Sequence, residues 1–179
     1  MRLETERLLL RAVEDRDADD LYPVLSDYEV TRNLLIRHPF SRDRMAEWIR
    51  DRREAMKARE RYVAAIELKE TGRVIGICGF VGVSWEHMNA ELVYWLGRDY
   101  WGRGYMPEAA RRFIRFGFEE LGFERISVGC FTRNEASRRV IEKLGFTYEG
   151  LARHEFLKDG EYQDVHHFGM LRKEHLRNE

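Results

Sequence analysis

The chain has 179 residues, which suffice for one domain with a substantial core and are few for two. Charged residues make up 35% of it, and 31 Lys and Arg against 32 Asp and Glu leave a formal net charge of −1. Counterion release requires an excess of basic residues over a surface, so this balance argues against a whole-surface polyanion binder and against a direct nucleic-acid partner, and it leaves local basic patches open. The 44% of hydrophobic residues exclude a wholly disordered chain.

No segment has the pattern of a targeting or membrane element. The first seven residues lack the apolar run of a signal peptide, and no stretch approaches the roughly 18 consecutive apolar residues of a membrane span. We therefore expect a cytoplasmic protein without a membrane partner. Linkers and repeats are also lacking, so we expect a single domain over residues 1–179.

The N-terminal half alternates strand-like and helix-like patterns. A short apolar run predicts a first strand over 7–11, and the acidic stretch after it predicts a helix capped by Asp17 or Asp19. Ser41 is the expected cap of a second helix, in which apolar residues recur at helical spacing. Residues 62–68 and 74–83 then read as two strands of a hairpin.

Residues 90–96 predict another strand, followed by a glycine turn at Gly102 and Gly104 and by a helix with Pro107 in its first turn. Such a turn lets consecutive backbone N–H groups converge on an anion where the helix dipole favours negative charge. Two glycines alone are equally typical of a tight turn, and the pattern is neither GxGxxG nor a P-loop.

The C-terminal part predicts a strand over 125–131, a helix capped by Asn134 and a closing pair of strands over 147–154 and 162–171. Hairpins mixed with helices exclude a purely parallel sheet. Cys78 and Cys130 lie far apart in predicted strands, so we expect buried thiols.

Four motifs, in this order, resemble the GNAT superfamily of acyl-CoA N-acyltransferases, and within it the RimJ/RimL-like branch of ribosomal-protein N-terminal acetyltransferases. The resemblance starts at residues 5–11 and spans nearly the whole chain. It is strongest over residues 94–96 with 100–105, then over Asn134-Glu135-Ala136-Ser137, Leu144-Gly145-Phe146 and Gly160-Glu161-Tyr162-Gln163-Asp164.

The resemblance implies an α/β (α+β) fold: a twisted, mixed, mostly antiparallel sheet of about six to seven strands, flanked by about four helices, with a splayed central strand pair. Acetyl-CoA would occupy the gap between the splayed strands, and no metal is expected. The cofactor-binding residues it implies are Val93, Tyr94, Trp95 and Leu96 beside the pantetheine, Trp101, Gly102, Arg103, Gly104, Tyr105 and Met106 around the pyrophosphate, and Asn134 with Ser137 on the far side.

One position departs from the family pattern. Asp99 stands where the family has Gln or Arg, and Arg98 comes one residue early. The phosphate charge would then be met by backbone amides together with Arg98, Arg103 or an arginine of the Asn134 helix, Arg138 or Arg139.

The activity implied is an acetyl-CoA-dependent N-acetyltransferase in which a primary amine attacks the thioester directly. The favoured acceptor is a protein N-terminal α-amino group, as in a ribosomal protein. The alternatives are a small amine (polyamine, amino sugar or amino acid) and a non-catalytic CoA-binding module, and a homodimer is also allowed. Glu155 is the first candidate for the base and Glu91 the second, while Ser137 is the expected proton donor, with Tyr148 as a substitute.

His154, His166 and His167 also raise the question of a metal site. Neighbouring residues of a strand point to opposite faces, so His166 and His167 do not readily share one ion. We therefore expect no metal ligands among them.

Overall fold

A single sheet of eight strands runs through the computed structural model, which describes residues 1–175. The spatial order is β1-β2-β3-β4-β5-β6-β8-β7, and every neighbouring pair is antiparallel except β5 and β6. The strands are β1 (Arg2–Glu4), β2 (Leu8–Ala12), β3 (Tyr62–Leu68), β4 (Val74–Ser84), β5 (Asn89–Leu96), β6 (Arg125–Phe131), β7 (Thr147–Lys158) and β8 (Glu161–Leu171).

Helices cover both faces of this sheet. They are α1 (Ala18–Ser26), α2 (Tyr28–Thr31), α3 (Asp43–Lys57), α4 (Tyr105–Glu119), α5 (Glu135–Lys143) and α6 (Arg172–His175). Side chains of α4 and α5 belong to one core cluster, and side chains of α1 to α3 belong to another. Alternate residues of β3 divide between the two, with Ala64 and Ile66 in the first and Val63 and Ala65 in the second. Because both faces are covered, β3 is apolar almost throughout.

The centre of the sheet opens between β5 and β6. These parallel strands pair only from Asn89 to Glu91, against residues 125–127, and within residues 1–175 the rest of β5 has no strand partner on that side. The mixed, mostly antiparallel fold expected from the sequence is confirmed. Its two extra helices, α2 and α6, have four residues each, too few for a helical period to be read, and β1 has only three.

Two local predictions of the N-terminal half were wrong. The residue before the first turn of α3 is Arg42 and not Ser41, and it forms no side-chain cap. Asp17 precedes α1, but its carboxylate binds Arg11 of β2 at 2.7 and 2.8 Å. Both side chains are buried, so the charge of Arg11 takes precedence over helix capping.

Candidate active site

Two cavities meet where β5 and β6 diverge. Cavity A, of about 590 Å³, lies between the end of β5, the glycine turn and α5. Cavity B, of about 560 Å³, lies between the middle of β5, β6, β8 and α3. Both volumes are typical of small-molecule sites. Six residues line both cavities: Asn33, Leu34, Tyr94, Trp95, Asn134 and Ser137.

The glycine turn forms one end of cavity A. Gly102 has φ +72° and Gly104 has φ +78°, a left-handed conformation that glycine adopts without strain. Gly104 precedes α4, and the next two residues, Tyr105 and Met106, supply N–H groups that have no acceptor within a helix. Pro107, the third, has no N–H to satisfy. The turn therefore presents donors at the positive end of a 15-residue helix, an arrangement suited to phosphate oxygens.

Arg7, between β1 and β2, fixes this turn from outside. Its guanidinium donates to the Arg103 carbonyl at 3.0 Å and to the Glu108 carboxylate at 2.7 Å, and it lies 4.5 Å from the centroid of the Tyr105 ring. Thr5 donates to the same carboxylate at 2.6 Å. Burial alone would raise the pKa of Glu108, but these contacts together outweigh it and lower that pKa, and they tie the N-terminal segment to the turn.

The basic residues expected near the phosphates take different positions. Arg98 pairs with Asp27 at 3.3 Å, and Arg138 pairs with Glu142 at 2.9 Å. Arg139 and Lys143 line cavity A from successive turns of α5, and both are exposed. Lys143 was not singled out from the sequence, although its spacing of four from Arg139 places the two on one helix face.

Asn134 and Ser137 shape the boundary between the cavities. The Asn134 side chain caps α5 by accepting a hydrogen bond from the Ser137 backbone N–H at 3.1 Å. The Ser137 hydroxyl lies 3.0 Å from the Tyr94 hydroxyl across the opening. Burial raises the pKa of Tyr94, so its phenol keeps its proton at neutral pH. Two hydroxyls that can donate a proton therefore face the same boundary.

Three titratable side chains share cavity B. Glu155 Oε2 lies 2.6 Å from Nε2 of His167 on β8. The register of β7 against β8 shifts between Ala152 and Phe156, and this irregularity contains Glu155. Glu91 lines the same cavity from β5. The surrounding protein removes enough water to raise the pKa of Glu91, His167 opposes the rise and Glu155 adds to it, although the Glu91 side chain is exposed to solvent.

Most residues expected beside the cofactor line cavity A, with two differences. Val93 lines cavity B. The Arg103 side chain is exposed outside the lining of cavity A, and its carbonyl is held by Arg7.

Tyr148 is exposed on β7 and lies 3.3 Å from His166, outside both linings. The sequence alone relates His167 only to the question of a metal site, because its pairing with Glu155 depends on a strand register that the sequence does not reveal.

The two cysteines are free and buried. Cys130 lines cavity B, and burial raises the pKa of its thiol to about 11. A thiol in that state is a poor nucleophile at neutral pH. Burial also raises the pKa of Cys78.

Within residues 1–175, no group of three or more His, Cys, Asp or Glu side chains is arranged to hold a metal ion. Over the same residues, no helix is both long and apolar enough to cross a bilayer.

Comparison with known proteins gives the family. Residues 7–147 match a family model described as an acetyltransferase (GNAT) domain. An uncharacterized N-acetyltransferase of Bacillus licheniformis, p20, is 38% identical over 178 residues, and the match covers 97% of each chain. A GNAT-family acetyltransferase from Bacillus anthracis superposes with a TM-score of 0.87 at 25% identity, over 97% of this chain and 99% of that one.

A second solved structure, from Vibrio cholerae, is provisionally named a ribosomal-protein-serine acetyltransferase. It superposes with a TM-score of 0.80 at 25% identity, over 96% of this chain and 97% of the other. Because the family model spans well over half of the residues and the p20 relative nearly all of them, this chain belongs to the GNAT family and is an acetyltransferase.

Proposed function

We propose that this protein transfers the acetyl group of acetyl-CoA to the N-terminal α-amino group of a protein, by direct attack of the amine on the thioester. The observation that carries the proposal is the meeting of two cavities at the Tyr94 and Ser137 hydroxyls. One cavity has a phosphate-type helix N-terminus, and the other has a carboxylate and imidazole pair. A thioester at the boundary would face an amine in cavity B.

Cavity A suits acetyl-CoA in charge and in shape. The first-turn amides of α4 would meet the pyrophosphate, with Arg139 and Lys143 supplying positive charge from α5. The inner part of the cavity, lined by Tyr94, Trp95 and Leu96, would hold the pantetheine arm. Acetyl-CoA supplies an activated acyl group, and the rest of the chemistry falls to the side chains at the boundary.

The chemistry of the amine favours an N-terminal acceptor. An amine must be neutral to attack, and an α-amino group with a pKa of about 7.7 to 8.0 loses its proton at pH 7 at a cost of about 1 to 1.4 kcal/mol. A lysine side chain with a pKa of about 10.4 needs about 4.6 kcal/mol. A weak base therefore suffices for an N-terminus. The V. cholerae structure whose name refers to a ribosomal-protein serine supports the same acceptor class.

Glu155, paired with His167, is the proposed base. Its carboxylate and the imidazole form one hydrogen-bonded unit at 2.6 Å that would accept the amine proton directly or through water. Glu91, with its raised pKa, is the second candidate.

On the other side of the boundary, Ser137 would donate a proton to the departing thiolate. Tyr94 would then return a proton to Ser137 through their 3.0 Å contact.

A thiol-release assay tests the proposal. Purified protein is given acetyl-CoA with a panel of N-terminal peptides, the same peptides with blocked N-termini, polyamines, amino sugars and amino acids. We expect turnover with free N-termini and none with blocked ones. Calorimetric CoA binding without turnover on any acceptor would contradict the enzyme proposal and favour a CoA-binding module, whereas turnover only on small amines would contradict the acceptor.

The proposal also includes a cytoplasmic location, because free buried cysteines suit a reducing compartment. A homodimer remains a prediction, and sedimentation equilibrium of the purified protein would measure it.

A further inference from the structure

One wall of cavity B carries a positive charge that the acetyl-transfer chemistry does not require. Arg52 and Trp48, both on α3, line the cavity. The guanidinium carbon of Arg52 lies 4.6 Å from the centroid of the Trp48 ring, and 24% of the side chain is exposed. Stacking on the indole holds the guanidinium in place at the edge of the cavity.

The charges around Arg52 leave an excess of positive charge. Arg52 binds the Asp51 carboxylate, but Asp51 also contacts Arg61 at 3.6 Å, so two guanidinium groups share one carboxylate. Burial and the neighbouring Arg61 lower the pKa of Arg52, yet a guanidinium remains charged at neutral pH. An anionic ligand group beside Arg52 would relieve this imbalance.

Trp48 provides a second, independent observation. Its indole Nε1 is buried, and no residue within 1–175 accepts its hydrogen bond. Buried N–H groups of folded proteins nearly always have an acceptor, and a missing one costs about 1–3 kcal/mol. This donor belongs to a cavity-lining side chain whose ring carries the Arg52 guanidinium, so a ligand group bound at Arg52 would pack beside the side chain that holds the unpaired donor.

The other wall of cavity B is acidic. Glu91 and Glu155 line it, with His167 bound to Glu155. A molecule that fills the cavity therefore meets carboxylates on one side and a guanidinium on the other. An amine suits the first wall and a carboxylate suits the second.

We infer that Arg52 and Trp48 form a carboxylate-binding subsite for the acceptor, so that the preferred acceptor carries a carboxylate in addition to the amine that is acetylated. The inference rests on the proposed function and deepens it. Two sources share this chemistry: a protein N-terminus with Asp or Glu near its first residue, and a free amino acid. A polyamine has no carboxylate, and the positive charge of Arg52 would repel its second ammonium group.

Steady-state kinetics on matched acceptors test the inference. The acceptors are C-terminally amidated peptides that differ only in a Glu, Gln or Lys at the second position, with free glutamate and spermidine as further arms. For the unaltered protein we expect kcat/KM to be about tenfold higher for the Glu peptide than for the Gln peptide, the size of one charge-assisted contact, and lowest for the Lys peptide. Turnover of free glutamate above the Glu peptide would identify the amino acid as the source of the carboxylate and would contradict the protein N-terminal acceptor of the proposed function.

Substitution then assigns the preference to Arg52. Arg52→Gln should remove the preference for Glu, so that kcat/KM for the Glu peptide and for the Gln peptide agree within about twofold. Arg52→Lys keeps the positive charge and should therefore keep part of the preference for Glu. It replaces Arg52→Gln as the test variant if Arg52→Gln folds poorly. Arg50→Gln, on the exposed side of the same helix, is the matched control and should change neither value.

Two results would overturn the inference, and they are distinguishable. Peptide turnover with no preference for Glu, or a preference that survives in Arg52→Gln, refutes the subsite and leaves the proposed function intact. No turnover on any amine, despite CoA binding, refutes the proposed function and the subsite together.

Discussion

At the scale of single residues, the Tyr94 and Ser137 hydroxyls define where acetyl transfer is expected, since both side chains line both cavities. Ser137→Ala should lower kcat about 10- to 100-fold while leaving CoA affinity nearly unchanged, because the lost hydroxyl acts on the leaving thiolate. Tyr94→Phe should act in the same direction, and the double variant should be less impaired than the two separate effects combined. Stopped-flow kinetics and CoA calorimetry measure both quantities, and an unchanged kcat in Ser137→Ala would remove it from the mechanism.

The raised pKa of Glu91 predicts how the stability of the protein changes with pH. Because burial raises its pKa above the ordinary 4.5, folding penalises the ionised carboxylate. The protein therefore loses stability as the pH rises from below 4.5 through the raised pKa. Glu91→Gln removes this penalty, so we expect the variant to be more stable than the unaltered protein at pH 7, by less than about 1 kcal/mol because Glu91 keeps contact with water, and equally stable near pH 4.

Urea titrations at the two pH values measure this difference. A gap of the same size at pH 4 and pH 7 would attribute the effect to packing and not to ionisation. Glu86→Gln, at an exposed turn position remote from the cavities, is a suitable control.

At the scale of elements, the N-terminal segment acts on the glycine turn through Arg7. Arg7→Gln removes the donor to the Arg103 carbonyl and the ion pair with Glu108. Since Arg7 holds the turn without lining cavity A, we expect KM for acetyl-CoA to rise about five- to tenfold while kcat stays within about twofold. Arg16→Gln, which breaks only an exposed ion pair with Glu14, is the control.

Gly104→Val tests the same turn by replacing one of its own glycines. A β-branched residue at φ +78° is strained, and its Cβ would meet the Arg7 guanidinium at 3.4 Å. We expect loss of CoA binding by calorimetry with the rest of the fold retained by circular dichroism. Unchanged CoA affinity would refute the assignment of the pyrophosphate to this turn.

The elements that could be predicted from the sequence are those with a local pattern. The apolar runs of β3 and β4 and the glycine–proline start of α4 depend on neighbours in sequence, and the structure contains all three. The contact between Glu155 and His167 depends instead on a shift in strand register, and the contact of Arg7 with the glycine turn joins residues about 100 positions apart. Long-range pairings of this kind leave no periodic signal in one sequence.

At the scale of the whole molecule, acidic and basic side chains balance each other through ion pairs, and the acidic residues do not form a separate negative patch. The seven acidic residues between 14 and 29 would be available to a cationic acceptor if they were unpaired. Each of them instead contacts an arginine: Glu14 with Arg16, Asp15 with Arg53, Asp17 with Arg11, Asp19 with Arg42, Asp20 with Arg73, Asp27 with Arg98, and Glu29 with Arg32.

Only one of these pairs is buried, which predicts an uneven effect on stability. Asp17→Ala leaves the buried Arg11 with Glu67, at 2.8 Å, as its remaining carboxylate partner, and should lower the free energy of unfolding by about 3 kcal/mol. Asp19→Ala removes an exposed pair and should change it by less than about 0.5 kcal/mol. Urea denaturation of both variants measures the contrast, and equal losses would show that burial does not control the strength of these pairs.

The gap between β5 and β6 also bears on how the chain avoids self-association. Beyond Glu91, one side of β5 is a strand edge whose backbone donors and acceptors pair with no other strand of the part of the chain that the structure describes. Exposed edges of this kind attract strands of other molecules and promote aggregation. Here the edge lies inside the sheet, and α5 and residues 33–36 line the cavities beside it, so we expect a slender extended ligand to reach it more readily than a second protein strand. An opening in the interior of the sheet thus keeps hydrogen-bonding backbone available to a small molecule without offering it to another chain.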